Sequence, residues 1–326
     1  AAPTANITVS DIGGSDSDTE NFTLNIANLA PIAAVTGAAS VSEGTSYTLS
    51  IAGVVDPGTD TRTGYSIDWG DGSAVQTFTP ATWAAAAGNF SHTYADGSAT
   101  PTIIVSATDE DGSFVLGSKS LTVNNVAPSA TLGGNASTNE GAAYTLNILG
   151  SDPAGANDTL SYSIDWGDGS APTALTAAQL AAQGGNVSHV FADDQDGPVN
   201  ATDRTIAVTV SDEDGGSSTQ NKTVTVNNVA PDLTASGAAS GIAGSLYTLA
   251  LANYIDPGQD TLLANGISID WGDGSAVQTV SALGDVTHTF GAAGNFTIQV
   301  SLADEDGSYA NVASVATQIT ATAATV

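Results

Sequence analysis

The chain has 326 residues and a formal charge of −30, because 34 acidic side chains face only four basic ones (Arg62, Lys119, Arg204 and Lys222). This balance excludes nucleic acid as a partner, since almost nothing in the chain could neutralise phosphates. Cysteine is absent and no apolar run approaches 18 residues, which excludes disulfides, thiolate metal sites and a spanning helix, while the length favours several domains.

The chain opens with a segment that returns later as the closing part of a longer repeat. Ile7-Thr-Val-Ser-Asp11 and Asn28-Leu-Ala-Pro31 match the ends of the later units. We therefore interpret residues 1–31 as the C-terminal hairpin of an incomplete repeat. Because a two-stranded hairpin is marginal alone in water, we expect its edge to pair with a neighbouring repeat of a longer chain or with a second copy of this chain.

Three full repeats follow, each containing Ile-Asp-Trp-Gly-Asp-Gly-Ser around Trp69, Trp166 or Trp271. Other landmarks recur in step with them, namely Tyr-Thr-Leu at Tyr47, Tyr144 and Tyr247, Asp-Pro at Asp56, Asp152 and Asp256, a histidine at His92, His189 and His288, and Asp-Glu-Asp-Gly from Asp109, Asp212 and Asp304. Two repeats close with Asn-Asn-Val-Ala-Pro. The predicted domains are 32–128, 129–231 and 232–326, with joints so short that neighbouring domains touch or nearly touch.

Within one repeat, short apolar alternations such as Tyr47-Thr-Leu-Ser-Ile51 and Leu121-Thr-Val123 are typical of strands. About seven such strands per repeat, separated by turn residues, predict an antiparallel sandwich. Two Ala-rich inserts, 82–87 and 174–182, are expected to form one or two helical turns each, and the third repeat has no comparable insert. The predicted fold class is all-β.

The order Trp-Gly-Asp-Gly-Ser, then a histidine before an aromatic, then a Val/Ile strand running into Asp-x-Asp-Gly resembles the PKD (polycystic kidney disease) domain. The family's usual string is Trp-Asp-Phe-Gly-Asp-Gly, so the aromatic here lies two places later. The resemblance covers 32–128, 129–231 and 232–321 and implies tandem immunoglobulin-like sandwiches in a bacterial or archaeal extracellular repeat protein. Such domains serve as spacers in adhesins, surface layers and secreted hydrolases alike.

The repeated polar residues favour structural roles over catalysis. Each tryptophan is expected to fill a core while Gly-Asp-Gly forms a tight turn, although Asp71, Asp168 and Asp273 could also bind a cation at the rim. The three histidines lie in separate repeats and cannot form one site. The loops 109–112 and 193–197 lack the twelve-residue length and closing glutamate of an EF-hand. No unique nucleophile and base combine, so we predict that the chain is not an enzyme.

The acidic residues instead indicate calcium sites at the joints between domains. In a sandwich of this type, loops carrying Asp152, Asp158, Asp212 and Asp214 gather at the leading pole of the second repeat, facing Glu43 and either Asp71 or Asp96 at the trailing pole of the first. Crowded carboxylates repel unless neutralised, and hard oxygen ligands suit Ca²⁺. The candidate ligands over all the poles are Glu43, Asp56, Asp60, Asp109, Asp111, Asn124, Asn125, Glu140, Asp152, Asp158, Asp212, Asp214, Asn227, Asn228, Asp256, Asp260, Asp304 and Asp306.

The exceptions to the repeat pattern agree with this placement. Glu43 and Glu140 open the Glu-Gly-x-x-Tyr-Thr-Leu segment of the first two repeats, but the third repeat has Ala243 there and no Asn-Asn-Val-Ala-Pro after it. The N-terminal segment likewise has Asp11-Ile-Gly-Gly in place of Asp-Glu-Asp-Gly. The alternative interpretation is that these acids are solvated turn residues and that the differences are drift.

Two further sets of surface candidates remain. Asn-x-Ser/Thr triplets, which would mark exposed glycosylation sites, occur at Asn6, Asn21, Asn89, Asn135, Asn157, Asn186, Asn200, Asn221 and Asn295. Trp83, in the first Ala-rich insert, has no counterpart in the other repeats and is the candidate glycan contact. Its alternative role is to anchor that insert to the sheet.

The function predicted from the sequence is structural. Tandem sandwiches stiffened by calcium would form a stalk, filament or surface-layer element outside a cell, and the incomplete N-terminal repeat would link subunits end to end. The alternative is an adhesin or carbohydrate-binding accessory segment of a larger secreted protein, with surface glycans as partners.

Overall fold

The structure is a computed structural model that describes residues 28–57, 60–194 and 200–322, together with the backbone of 4–10 and 17–23. By its contacts the chain divides into two compact units. The first unit is Ala1–Val126 with Asp152–Asp158, and the second is Ala127–Ser151 with Thr159–Val326. Neither of the two helices among these residues approaches the length and hydrophobicity that a membrane-crossing helix needs.

The first unit begins with a hairpin, as the sequence predicts. Strands β1 (Thr4–Ser10) and β2 (Ser17–Thr23) pair antiparallel from Thr4 opposite Thr23 to Ser10 opposite Ser17. Among the described residues these two strands form a sheet of their own.

The first repeat is a sandwich of two sheets. Its strands are β3 (Ile32–Gly37), β4 (Ser40–Ser42), β5 (Ser46–Val55), β6 (Gly64–Asp68), β7 (Gln76–Phe78), β8 (Asn89–Thr93), β9 (Thr102–Thr108), β10 (Ser113–Ser120) and β11 (Thr122–Asn124), with helix α1 (Pro80–Ala85) between β7 and β8. One sheet has the order β3-β5-β8 and the other β10-β9-β6-β7. Strands β4 and β11 pair in parallel.

In the second unit the same plan appears twice. The second repeat has β12 (Ser129–Gly133), β13 (Ser137–Asn139), β14 (Ala143–Ser151), β15 (Ser161–Asp165), β16 (Thr173–Thr176), α2 (Ala177–Ala182), β17 (Asn186–Val190), β18 (Ala201–Ser211) and β19 (Ser217–Asn227). The third has β20 (Asp232–Gly237), β21 (Ser240–Ile242), β22 (Leu246–Ile255), β23 (Leu262–Asp270), β24 (Gln278–Val280), β25 (Gly284–Thr289), β26 (Gly294–Asp304) and β27 (Ser308–Thr320). Their sheets have the orders β12-β14-β17 with β13-β19-β18-β15-β16, and β20-β22-β25 with β21-β27-β26-β23-β24.

The strands form because their side chains alternate between core and solvent. In β5 the buried positions are Tyr47, Leu49 and Ile51, and the residues between them are exposed or half-buried. Three separate hydrophobic clusters result, drawn from residues 47–123, 144–226 and 233–319, and each contains its tryptophan at 1% exposure. The all-β fold of tandem immunoglobulin-like sandwiches is confirmed, whereas the exact domain boundaries stay predictions.

Both Ala-rich inserts form a short helix near the predicted place. Thr79 is the N-cap of helix α1, and its hydroxyl accepts a hydrogen bond from the amide of Thr82. Thr176 is the N-cap of helix α2 and forms a capping box with Gln179. The side-chain oxygen of each residue accepts a hydrogen bond from the backbone amide of the other. Helix α1 begins two residues before the first insert, and α2 is shorter than the second insert because strand β16 takes its beginning.

Candidate metal centre

In the second unit, six carboxylates of the second and third repeats gather where the two repeats meet. We call them the junction cluster: Glu140, Asp193, Asp194, Asp256, Asp260 and Asp306. Glu140 follows β13, and Asp193 and Asp194 follow β17. From the third repeat, Asp256 and Asp260 lie between β22 and β23, and Asp306 lies in the turn between β26 and β27.

The gathered oxygens fall into two sets that share one residue. Oxygens of Glu140, Asp193, Asp194 and Asp306 all lie within 4.8 Å of one another. The second set consists of oxygens of Glu140, Asp256 and Asp260, which also lie within 4.8 Å of one another. Glu140 is 1% exposed, Asp194 0%, Asp306 3% and Asp260 9%. Buried carboxylates at this spacing match the oxygen ligands that Ca²⁺ takes in proteins.

Backbone hydrogen bonds hold Glu140 at the centre of this arrangement. Its Oε1 accepts a hydrogen bond from the amide of Val229, in the joint itself, and its Oε2 accepts one from the amide of Asp194 at 3.2 Å. Gly141, beside it, has φ +64, and a Cβ there would collide with the carbonyl oxygen of Pro257. The turn that presents Glu140 is therefore packed directly against the Asp-Pro loop of the third repeat.

The joint segment also fixes Asp306. The Nδ2 group of Asn228 donates to Asp306 Oδ2 at 3.0 Å and to the hydroxyl of Tyr309 at 2.9 Å. Asp304 Oδ1 accepts hydrogen bonds from the amides of Asp306 and Gly307 at 3.0 and 2.9 Å, which shapes the turn. Side chains and turn geometry thus hold these carboxylate oxygens in place from both repeats.

Burial, together with charge crowding, raises several pKa values in the cluster. Burial, followed by the charges of Glu140 and Asp256, raises the pKa of Asp260 to about 8. Burial also raises the pKa of Glu140, although its two backbone hydrogen bonds act in the opposite direction. Burial and the neighbouring Asp194 raise the pKa of Asp306. A bound cation would favour the ionised form of every one of these groups.

A half-buried arginine stands beside the cluster. Arg204 donates from Nη2 to the carbonyl oxygen of Asp194 at 2.5 Å. It is one of only four basic residues in the chain. Its guanidinium therefore holds in place the backbone that carries two of the carboxylates.

The first unit contains related groups. Oxygens of Glu43, Asp96 and Asp158 lie within 4.8 Å of one another, and Glu43 Oε1 accepts a hydrogen bond from the amide of Val126 at 2.7 Å. At another place in this unit, Asp56, Asp60 and Asp109 gather in the same way. Glu43 thus repeats the backbone contact that Glu140 makes in the second unit.

The remaining predicted ligands differ in exposure. Asp111, Asn124 and Asp214 are exposed, Asn125 and Asp152 are half-buried, and Asp212 is 9% exposed. Asn227 donates from Nδ2 to the carbonyl oxygen of Thr138 at 3.1 Å, so it ties together strands of its own repeat. Asn228 contacts Asp306 through its amide nitrogen, which cannot ligate a metal.

Sequence reasoning missed Asp193 and Asp194. Both belong to an acidic stretch, 193–197, that lacks the length and the closing glutamate of an EF-hand. The usable signal is position, since Asp193 follows Phe191 as Asp96 follows Tyr94.

Each tryptophan stacks on the histidine of its own repeat. Ring centroids lie 4.7, 4.4 and 4.6 Å apart for Trp69–His92, Trp166–His189 and Trp271–His288. The histidine Nε2 in turn contacts Asp71, Asp168 or Asp273 at 2.6, 2.6 and 2.8 Å. Burial raises the pKa of Asp273, but hydrogen bonds from Ser275 and His288 outweigh it, and the pKa lies at about 2. These aspartates therefore serve the tryptophan turn.

Trp83, the candidate glycan contact, is 9% exposed. Its ring stacks on Tyr65 with centroids 4.2 Å apart and also contacts Phe78 and Phe90. A glycan platform needs an open ring face, and here the ring is packed into the core. The geometry matches the other role that the sequence allows, that of anchoring α1 to the sheet.

The asparagines of the Asn-x-Ser/Thr triplets are exposed wherever the structure describes their side chains, at Asn89, Asn135, Asn157, Asn186, Asn200, Asn221 and Asn295. The side chains of Asn6 and Asn21 lie outside the described residues. Asn157 differs from the rest, because its Nδ2 donates to the carbonyl oxygens of Ala95 and Ala154. Glycosylation stays a prediction.

The second repeat is similar to a known protein family. Residues 125–226 match the family model of the PKD domain, and no curated protein matches the chain. Similar solved structures include the three N-terminal domains of the outer capsid protein Hoc of bacteriophage RB49, at 11% identity over 91% of this chain and 100% of that one with a TM-score of 0.27. An I-band fragment of titin is 10% identical to this chain, over 91% of this chain and 100% of that one, with a TM-score of 0.34. Sidekick-1 immunoglobulin domains 1–4 are 13% identical to this chain, over 99% of this chain and 83% of that one, with a TM-score of 0.32.

The family match covers the second repeat, and the first and third repeats contain the same Trp-Gly-Asp-Gly-Ser, histidine and Asp-Glu-Asp-Gly motifs on the same sandwich. Residues 125–226 therefore belong to the PKD family, and the first and third repeats share the motifs of that domain.

Proposed function

We propose that this chain is a non-enzymatic structural segment of an extracellular stalk, filament or surface layer, and that Ca²⁺ bound at its joints stiffens it. Tandem domains of this type are typical of extracellular adhesion or structural segments. The repeats are joined by short Pro-containing segments, and each buries its own core. Such an array acts through its length and stiffness, so the joints determine its function.

The observation that carries the proposal is the first set of the junction cluster. Glu140, Asp193 and Asp194 come from the second repeat, and Asp306 comes from the third. Three of the four are at most 3% exposed. Four like charges this close destabilise the joint unless a cation or protons neutralise them, so a bound divalent cation would convert repulsion into a link between repeats.

The donor set favours calcium over softer metals. All the ligands are carboxylate oxygens, and neither cysteine nor histidine belongs to the cluster. Oxygen-only sites suit Ca²⁺ or Mg²⁺, and several protein carboxylates around one ion are typical of Ca²⁺, since Mg²⁺ usually keeps much of its water. Extracellular modules bind calcium with dissociation constants of about 0.1–1 mM, which external calcium concentrations can saturate.

The third repeat supports the assignment by contrast. At the place of Glu140 it has Ala243, which continues the same turn with Gly244 at φ +82. A Cβ on Gly244 would meet no atom within 4 Å among the described residues, whereas one on Gly141 would collide with Pro257. The glutamate thus occurs where a following repeat packs against this turn.

Calorimetry of the intact chain tests the proposal. We expect EDTA to lower the melting temperature, 1–2 mM Ca²⁺ to restore it, and the same concentration of Mg²⁺ to restore much less. Proteolysis at the joint should be faster in EDTA. A melting curve and a cleavage rate that are identical in EDTA and in calcium would refute the calcium assignment.

The N-terminal hairpin extends the proposal to assembly. Within the described part of the chain, β1 and β2 pair only with each other, so their outer edges are open to a further strand. We propose that a neighbouring repeat of a longer chain or a second copy of this chain supplies that strand. Light scattering should show concentration-dependent association that deletion of residues 1–31 removes. A monomer at all concentrations would rule out self-association.

A further inference from the structure

The second set of the junction cluster has a property that the first set does not explain. Asp260 is 9% exposed, and both of its carboxylate oxygens are buried with no hydrogen-bond partner among the described residues. A fully desolvated carboxylate without partners is costly, and proteins retain one where it is paired or coordinates a metal. The unpartnered oxygens thus point to a ligand beside Asp260.

The position of that ligand follows from Gly258. A Cβ placed there would lie 2.8 Å from Glu140 Oε2 and 3.0 Å from Asp260 Oδ1. Both oxygens therefore face the same small space, which only a glycine leaves open. Asp256 completes the set, with an oxygen within 4.8 Å of both.

One ion cannot serve all six carboxylates. Two oxygens bound to the same Ca²⁺ at about 2.4 Å are at most about 4.8 Å apart. The first set meets this limit with four residues and the second with three, and Glu140 is the member that they share. Each Glu140 oxygen accepts one backbone hydrogen bond and has a second lone pair for a metal.

The first repeat shows that the second set does not depend on a joint. Asp56, Asp60 and Asp109 occupy the corresponding loops and also gather within 4.8 Å, without any glutamate. Asp109 is 6% exposed, and its buried Oδ2 has no hydrogen-bond partner in the part of the chain that the structure describes. These loops therefore gather acids within a single repeat, and the joint adds Glu140 to them.

We propose that the joint between the second and third repeats binds two divalent cations, one in each set, with Glu140 as the bridging ligand. The inference rests on the proposed calcium function and adds its stoichiometry and connectivity. The ion at Asp256 and Asp260 organises the leading loops of the third repeat. The ion at Asp193, Asp194 and Asp306 links that repeat to the second, so the shared glutamate couples loop order to the stiffness of the joint.

Native mass spectrometry of the intact chain, loaded with Ca²⁺ alone, counts the ions. We expect Asp260→Asn to lose one ion relative to wild type, Asp193→Asn to lose one, and the double variant to lose two. Asp285→Asn, an exposed aspartate of the third repeat, is the matched control and should lose none. Ions bound in the first unit add the same number to every count.

The possible results distinguish a failure of the two-ion inference from a failure of the proposed calcium function. A double variant that loses one ion, as each single variant does, means one shared ion and overturns the inference while leaving calcium stiffening intact. An Asp260→Asn variant with an unchanged count also overturns it. A wild-type chain that binds no calcium removes the proposed function itself. If Asp193→Asn unfolds, as judged by circular dichroism, Asp306→Asn replaces it in the same comparison.

Discussion

The side chain of Glu140 accepts a hydrogen bond from the backbone amide of Val229, 89 residues further along the chain. In the first unit Glu43 does the same with Val126, 83 residues further along. Each glutamate thus bonds the segment that leaves its own repeat. In each case the same glutamate binds the backbone that leaves its repeat and belongs to a group of carboxylates.

Glu140→Gln should lower the melting temperature in calcium, because the bridging carboxylate is lost. With about 2 mM calcium and a dissociation constant of about 0.1 mM, the loss is about 1.8 kcal/mol. In EDTA the loss should shrink or reverse, since glutamine also removes one of the repelling charges. Differential scanning calorimetry in both buffers measures this. Glu213→Gln is the control, because Glu213 also accepts a backbone hydrogen bond, from Thr159, but is exposed and outside the cluster. Equal effects of Glu140→Gln in both buffers would argue against a bound ion.

Gly141→Ala should destabilise the joint more than Gly244→Ala. Both glycines have positive φ and donate a hydrogen bond to an aromatic residue's carbonyl, so the backbone strain is shared, at about 1–2 kcal/mol. Only the alanine at 141 would also collide with Pro257. Melting temperatures and protease cleavage at 228–231 test the difference. If both variants behave alike, the second and third repeats do not pack at this turn.

Asp273→Asn should lower stability at pH 7 by about 2 kcal/mol, because it removes a charge-assisted hydrogen bond to His288. The folded-state pKa of Asp273, about 2, lies below the unfolded value of about 3.9. Its contribution is therefore complete above about pH 5 and is lost progressively as the pH falls through about 4 toward 2. The gap between the melting temperatures of wild type and variant should close over this range. A gap that stays constant from pH 7 to pH 2 would contradict the pKa assignment.

Trp83→Ala should destabilise the first repeat by about 3–5 kcal/mol, since a large aromatic side chain leaves a well-packed site. Trp83→Leu should cost less, because the second repeat packs the buried Leu180 at the corresponding place in α2. Urea denaturation followed by fluorescence measures both. If Trp83 contacts glycans, Trp83→Leu would instead abolish glycan binding on an array with little change in stability, and that result would restore the carbohydrate-binding hypothesis.

The sequence predicts the sandwiches well because their signals are local and repeated three times. Alternation in segments such as Tyr47–Ile51 is set by the two-residue period of a strand. The glutamates at 43 and 140 could be connected with the joints because Ala243 breaks the pattern. These inferences need no knowledge of side-chain packing.

The composition of the junction cluster depends on loop conformation, which the sequence does not reveal. Asp193 and Asp194 belong to an Asp-rich stretch that the first repeat lacks, and only the distance from Phe191 connects Asp193 with Asp96. Asp71 resembles a rim ligand in sequence, but its carboxylate contacts His92 at 2.6 Å. Asn227 is adjacent to the joint in sequence, yet it bonds within its own repeat. In each case a contact between residues far apart in the chain determines the role.

In every repeat a short early strand pairs in parallel with the last strand, as β13 does with β19 from Ser137 opposite Thr225 to Asn139 opposite Asn227. In a parallel pair both strands run the same way, so a pull on the two ends of a repeat slides one strand along the other. The hydrogen bonds between them then lie across the force and must break together, whereas bonds in line with it would open one by one. A stalk made of such repeats resists tension through three-residue patches, and the glutamate that follows the early strand lies at the end of each patch in the first two repeats.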